Sequence, residues 1–423
     1  MRRPLSIVLG VLVTMVTTAA CVVGGHAGDQ ARVLTVQIEG EPEDNQVYLS
    51  LVARFQEANP SVEVRLIQVS EEGEDATAKL TTRFAAGNPP DVFLINYREY
   101  SQFVARGGIE PVGPHLDEAG IDLSGYYEEA LGAFRYGGEL QCMPQNVSSL
   151  VVYYNTVAFA RAGLEHPRSG WRFEDLRAAA RALVDHGSEG LGIEPKLIRL
   201  APFVWSNGGE IVDDPQRPSR FTLEQPEARS ALEFLVGLVR DGLVPSEEEV
   251  ASEDLETQFV TGRLGMYLGS RRDAAKFREV LGFDWDVASL PVARRPASIL
   301  HSDAFCIAAG ASPLDAALAF VRYATGREAQ TLGALSGRLV PSLRSVATSN
   351  AFLDQTQPPR HARVFLDAIP HMRRTPVIPT WPQIEELGDE ILHRAFYDEG
   401  YGVSDATTDL RRATDELFAE AAK

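Results

Sequence analysis

The sequence predicts an α/β protein of more than one domain, and three observations carry that expectation. Stretches with the two-residue period of a strand alternate with stretches of helical period. The most apolar strand-like runs are short and bounded by turn residues. At 423 residues the chain exceeds the roughly 250–300 at which a single core stops growing.

The alternation begins at Arg32. "VLTVQI" sets Leu34, Val36 and Ile38 on one strand face, and "YLSLVARF" carries Tyr48, Leu51, Val52 and Phe55 at i, i+3, i+4, i+7. "VEVRLIQV" and "AKLTTRF" repeat the pair, and "DVFLI" follows the turn Gly87-Asn88-Pro89-Pro90 as a short buried strand. Repeated strand–helix–strand units predict a mainly parallel sheet covered by helices. A second α/β region opens at "VVYYN". Its helices are marked by Leu176, Ala180 and Leu183, then by Leu232, Leu235, Val236 and Val239 before Gly242 and Pro245.

At the N-terminus, Arg2 and Arg3 precede an apolar or small run from Leu5 to Ala20, the layout of a secretory signal over residues 1–20. The run is short of the ~20 residues needed to span a bilayer. With 44% hydrophobic and 23% charged residues the full chain has an ordinary globular composition. Its net charge of −19 becomes −21 once Arg2 and Arg3 leave with the signal, which disfavours nucleic acid and anionic lipid surfaces as partners. Beyond Cys21 the chain has only Cys142 and Cys306, an even pair in an exported protein; a disulfide and two buried thiols are both open.

Catalytic signatures are missing. The eight histidines stand singly, with no H-E-x-x-H, and there is no G-x-S-x-G elbow, Walker loop or G-x-G-x-x-G after a strand. A glycosidase needs only two placed carboxylates, and 59 acidic residues nominate no particular pair.

Taken in order, the motifs resemble a known family. "ANPSVEVRL" from Ala58, "AAGNPPDVFLIN" from Ala85, "MPQNVSSLVVYYNTVAFARAGL" from Met143, "WSNGGEIVDD" from Trp205, "FVTGRLGMYLGSRRDAAKF" from Phe259 and "AFCIAAGASPLDAALAFVRYATG" from Ala304 are similar to extracellular solute-binding proteins of the maltose-binding class, the capture subunits of ABC importers for sugars. The resemblance implies a two-lobed Venus flytrap that closes on its ligand by a hinge. Lobe one would hold residues 32–142 and 308–350, lobe two 145–302 and 356–423, with crossings near 141–145 and 302–307. In this family the crossing strands lie side by side, which implies a Cys142–Cys306 disulfide that ties the hinge without locking the cleft. "TTAAC" resembles a bacterial lipoprotein site, with Cys21 as the acylated first residue and residues 21–31 as a flexible tether; Thr18 departs from the usual aliphatic residue there.

The resemblance also suggests ligand contacts. Sugars present hydroxyls to planar polar side chains and an apolar ring face to aromatic platforms. At the end of the first strand Glu39, Glu41 and Glu43 form an acidic loop, with Glu41 taken as the contact. Asn96 and Tyr97 follow the buried "DVFLI". Gln145 and Asn146 follow the first crossing, where capping a turn is the structural alternative. Trp205, beside Asn207 and Gly208, reads as a loop platform, and Trp381 as a second one at the head of a late helix. Where sugar-binding relatives resemble Gly-Arg-Trp, this chain has Ser270-Arg271-Arg272, so Arg271, with Arg338 from the other lobe, joins the contact set; pairing with nearby acids is the alternative.

The resulting expectation is a lipid-anchored, monomeric, extracytoplasmic substrate-binding component of an ABC transporter, without cofactor, metal or catalysis. It would pass a carbohydrate to a membrane permease. The arginines motivate a second ligand class, a phosphorylated or acidic solute such as a glycerophosphodiester. The class-level alternatives are a secreted, lipid-anchored glycoside hydrolase and a sensor or adhesin of the same fold.

Overall fold

The computed structural model describes residues 32–40, 42–69, 76–280 and 282–421. The signal segment, Cys21, the tether and Glu41 lie outside the described residues, as does the side chain of Glu43.

Two sheets organise the chain. The first runs Val62–Val69, Arg32–Glu39, Val92–Asn96, Asp303–Ala308, Ile109–Glu110, with Met143–Pro144 also pairing with Asp303–Ala308. Arg32–Glu39 is parallel to both neighbours, and Leu34, Val36 and Ile38 are buried together as the two-residue period requires. Helix Pro42–Ala58 covers this sheet with helices Leu314–Ala324 and Arg327–Ser336, where Phe55 meets Phe320 edge-on at 5.2 Å between ring centroids.

The second sheet runs Met372–Arg373, Ser298–His301, Ser148–Asn155, Leu264–Ser270, Glu189–Gly192, with Trp285–Ala288 also beside Ser148–Asn155. Every residue of Ser148–Asn155 is buried, as expected of a strand covered on both faces. The C-terminal helices Trp381–Tyr397 and Val403–Ala421 pack on each other and on helices of this half, Leu197–Ser206 and Pro226–Arg240.

Both sheets are mixed, where the sequence predicts mainly parallel ones. Parallel pairing is kept within the strand–helix–strand units, whereas Ser148–Asn155 is antiparallel to three neighbours and Asp303–Ala308 to three. The reason is connectivity. These are the strands that adjoin the passages between sheets, so their direction is set by the crossing and not by a helical return.

Two passages join the halves side by side, residues 145–148 and 301–303, and residues 339–343 of the first half run along them. Gln145 N donates to Asp303 O at 2.9 Å, Val147 N to Val340 O at 2.9 Å, and Ser302 Oγ to Asn146 O at 2.7 Å. Next to them, on the first-sheet side, a disulfide joins the fully buried Cys142 and Cys306, whose Cα atoms are 4.5 Å apart. Among the described residues no helix is long and apolar enough to cross a membrane.

Candidate functional site

Loops at the ends of strands from both sheets converge on these passages and enclose a cleft of about 710 Å³. This is where α/β sheets place ligands, beyond the carboxyl ends of their strands. The first sheet contributes Asn96 and Arg98, just past the strand Val92–Asn96. The passages contribute Gln145, Asn146, His301 and Asp303, and the segment beside them contributes Arg338. The second half adds Glu194, Lys196 and Arg199 near the head of helix Leu197–Ser206, Arg272 and Asp273 after strand Leu264–Ser270, and Glu385 and Asp389 from helix Trp381–Tyr397.

A hydrogen-bonded network forms the cleft floor. Asn96 Nδ2 donates to Asp303 Oδ1 at 2.9 Å and Asn146 Nδ2 to Asp303 Oδ2 at 3.3 Å, while the Asp303 backbone N–H donates to Asn146 Oδ1 at 2.6 Å. Arg98 Nε donates to Asn96 Oδ1 at 3.1 Å, and its guanidinium reaches across the halves to Glu385. Each amide is thereby held in one orientation, with its polar edges committed before a ligand arrives. Gln145 is hydrogen-bonded to the Tyr48 hydroxyl, and the Arg338 guanidinium lies over the Tyr48 ring at 5.3 Å.

The ionisable groups are arranged in compensating pairs. Glu194 binds Lys196 at 2.9 Å and Arg199 at 3.1 Å; burial acts to raise its pKa, yet these two cations hold it below the usual carboxylate range. Lys276 binds Glu256 at 2.9 Å. Six basic and seven acidic side chains line the cleft. Two of the acids differ from the rest. Burial pushes Asp273 and Asp389 up to about 7, with Glu256 adding to the first and Glu385 to the second; each accepts a backbone N–H, from Ser270 at 2.7 Å and Leu197 at 2.6 Å. Burial, together with Arg199, Arg98 and Arg272, pushes the His301 imidazole well down, so it is neutral near pH 7. Its Nε2 is buried without a hydrogen-bond partner in the structure.

Of the residues singled out from the sequence, Asn96, Gln145, Asn146 and Arg338 line this cleft, and six others do not. Tyr97 is fully buried, its hydroxyl 3.1 Å from Thr375 Oγ1. Trp205 is 1% exposed on the apolar helix Leu197–Ser206, with the Arg373 guanidinium over its ring at 4.9 Å. The loop reading fails because that helix continues through the tryptophan, leaving only Asn207 and Gly208 in the turn. Asn207 Nδ2 bonds Glu227 O and Ser230 Oγ, both at 2.7 Å, and Gly208 supplies the φ of +88° that the helix end needs. Trp381 is fully buried in the core of the second half. Arg271 is buried between Phe352 and Phe365, its guanidinium carbon 4.8 and 5.5 Å from their ring centroids, and none of its three nitrogens has a hydrogen-bond partner. Thus Tyr267 is the one aromatic side chain among the described residues of the cleft wall.

Sequence reasoning missed most of the charged lining. Asp303 carried a signal, a lone carboxylate inside an otherwise apolar crossing strand, "DAFCIA". Arg98, Asp273, Glu385 and Asp389 carried none, since each sits one to several residues from a position that reads equally well. Among the described residues no group of three or more His, Cys, Asp or Glu is placed to hold a metal ion.

Known proteins share this architecture. A putative binding protein of Brucella abortus is 23% identical over 333 residues, covering 76% of this chain and 78% of the relative. The diacetylchitobiose binding protein DasA of Streptomyces coelicolor is 24% identical over 416 residues, 91% of each chain. In structure, an ABC substrate-binding protein of Listeria monocytogenes in complex with cycloalternan superposes with a TM-score of 0.84 over 92% of this chain and 99% of the other, at 21% identity. That likeness establishes the two-lobed binding-protein fold. The family model for bacterial extracellular solute-binding proteins matches residues 50–358, most of the chain, and on that match the protein belongs to this family.

Proposed function

We propose that this protein is the extracytoplasmic substrate-binding component of an ABC importer, closing on a carbohydrate in the cleft and delivering it to the membrane permease. The observation that carries the reading is the chemistry of the cleft wall. Carboxylates, guanidiniums and amides from both halves are already paired with one another, and a sugar hydroxyl can bridge such a pair, donating to the acid while accepting from the base. DasA and the Listeria protein, named for or solved with oligosaccharides, support the same assignment. The missing tryptophan platform leaves Tyr267 and polar contacts to hold the ring.

On this reading lobe one comprises residues 32–142 and 308–350 and lobe two 145–302 and 356–423. Residues 1–20 direct export, and Cys21, once acylated, keeps a monomeric receptor near its permease on the tether 21–31. Asn96, Gln145, Asn146 and Arg338, joined by Arg98, Arg272, Asp303 and Glu385, hold the solute. No turnover accompanies binding.

An anionic solute is the second ligand class, favoured by the four arginines in the cleft and by the likeness to UgpB of Mycobacterium tuberculosis in complex with glycerophosphocholine, TM-score 0.78. The count of seven acids against six bases weighs against it, because a phosphate would have to displace a carboxylate from its partner. Thermal-shift measurements with mono- and oligosaccharides and with glycerophosphodiesters separate the two. A sugar at ~100 times its dissociation constant should stabilise the protein by roughly 2.7 kcal/mol, and Arg272→Ala should remove the response. Stabilisation by glycerophosphodiesters alone, or release of products from oligosaccharides, would overturn the proposal.

A further inference from the structure

The acids of the cleft are not alike. Glu194 and Glu256 each face a lysine at 2.9 Å, and Glu385 holds Arg98. Asp303 and Asp254 use both oxygens as acceptors, the first from the Asn96 and Asn146 amides, the second from the backbone and hydroxyl of Thr257. Asp273 and Asp389 differ from these. Each accepts a single backbone N–H on one oxygen, and among the described residues the other oxygen has neither a hydrogen bond nor an ion pair. Two carboxyls of the cleft thus lack a counter-charge in contact, and their surroundings separate them. After burial, the strongest influence on Asp273 is the Arg199 guanidinium, whereas on Asp389 it is another acid, Glu385, one helical turn away on Trp381–Tyr397. Lys196 and Arg98, the cations that also act on Asp389, are bonded to Glu194 and Glu385. Asp389 therefore stands where negative charge is in local excess.

We infer that the solute is a cationic saccharide, an amino sugar with a free amine or an oligomer containing one, whose ammonium pairs with Asp389. The inference rests on the reading of the cleft as a carbohydrate site and narrows it by charge. A carboxylate oxygen in a partly buried wall forms its strongest contact with a charged N–H donor. A quaternary ammonium has no N–H and is held by a cage of aromatic faces, and this wall offers only Tyr267. Binding is coupled to a proton. Burial first, and then Glu385, push Asp389 up to about 7, so at pH 6 its carboxyl is protonated. An arriving ammonium favours the ionised form; the carboxyl proton leaves to solvent, and the ammonium keeps its own.

The test is calorimetry on the intact protein at pH 7, with glucose against its monoamino derivatives and glucosamine oligomers against N-acetylated and glucose oligomers of equal length. An amino compound should bind more tightly than its neutral counterpart by about tenfold or more, the size of one charge-assisted hydrogen bond. Asp389→Asn keeps an oxygen for the Leu197 N–H and should bring that ratio to about one, whereas Asp273→Asn should preserve it; a melting curve checks the fold of each. A second readout needs no variant. At pH 6, where an amine carries its proton, titrations in two buffers of different ionisation heat should show release approaching one proton for each amino sugar bound, and none for a neutral sugar. Equal or tighter binding of every neutral counterpart, a preference that survives Asp389→Asn, or capture of the amino sugar without proton release would each overturn the inference and leave the carbohydrate reading standing. Binding of no sugar, neutral or cationic, would instead sink the cleft reading, and the inference with it.

Discussion

The indole N–H of Trp381 donates to Glu385 Oε2 at 2.8 Å, and the other oxygen of that carboxylate holds the Arg98 guanidinium across the cleft floor. A tryptophan one helical turn away, fully buried, thus orients an acid that contacts the opposite half of the molecule. Its role is positional: it fixes Glu385, and Glu385 fixes Arg98.

Removing the indole donor while keeping most of the bulk tests that chain of contacts. Trp381→Phe should cost about 1.5–3 kcal/mol in urea unfolding, the value of a lost hydrogen bond to a charged group. Glu385→Gln, which leaves Arg98 without its anion, should cost more and weaken ligand binding as well. Because both changes act on one carboxylate, the double variant should be less destabilised than the sum of the singles. Strict additivity would show that Trp381 does not act through Glu385.

Arg271 gives the opposite expectation. Its guanidinium is buried without a hydrogen-bond partner, burial and then Arg278 push its pKa down to about 9, and the attraction of Phe352 and Phe365 is its visible compensation. Such contacts return about 2 kcal/mol at best, less than an uncompensated charge costs. Arg271→Met, which keeps the length and removes the charge, should therefore be neutral or raise stability by about 1–3 kcal/mol. Ligand affinity should not change, since Arg271 lies outside the cleft. A marked loss of stability or of binding would refute this account.

Arg271 and Tyr97 also define what the sequence could reveal. The segments were legible: "DVFLIN", "MPQN", "YLGSRR" and "PTWPQIEEL" all bring residues to the cleft, because strand ends and helix starts are set by period and turn chemistry. The side chain that faces the ligand within each segment was not. In an extended chain successive residues point to opposite faces, so Asn96 and Arg98 reach the cleft while Tyr97 enters the core, and Ser270 and Arg272 reach it while Arg271 does not. A shift of one residue exchanges the two sets, and nothing local fixes that phase at the end of a strand. Gln145 and Asn146 escape the ambiguity because the passage between the sheets places both beside the cleft. The tryptophans failed for another reason: a polar neighbour such as Asn207 marks a helix end, not the exposure of the residue two positions before it.

The disulfide should matter for stability and little for binding. It closes a loop with a sequence separation of 164, and both cysteines are fully buried on the first-sheet side of the passages. Replacing both by alanine should lower the unfolding free energy by about 2–5 kcal/mol, chiefly through a less constrained unfolded chain. Affinity for the solute should remain within a few-fold. The mass of the unreduced protein before and after alkylation checks the bond directly; two alkylated thiols without reduction would contradict it.

The last expectation concerns pH. The Asp273 carboxyl is pushed up to about 7, by burial first and by Glu256 next, against the opposing pull of Arg199; in the unfolded chain it titrates near ~3.9. Between these values the native state holds a proton that the unfolded state has released. Protonation is thus linked to folding, and the stability it contributes is complete below about pH 4 and is lost as pH rises through about 7. Asp389 behaves in the same way, with Glu385 as its neighbour. Asp273→Asn retains an oxygen for the Ser270 N–H and stays neutral throughout, so it removes the linkage without removing the contact. Relative to the wild type, the variant should gain stability steadily from pH 4.5 to pH 7.5, and Asp389→Asn should add a second increment. Urea midpoints at three pH values suffice for the measurement. Curves for wild type and variant that stay parallel over that window would mean that Asp273 is ionised in the folded protein at low pH, and that the cleft solvates its carboxylates better than their burial implies.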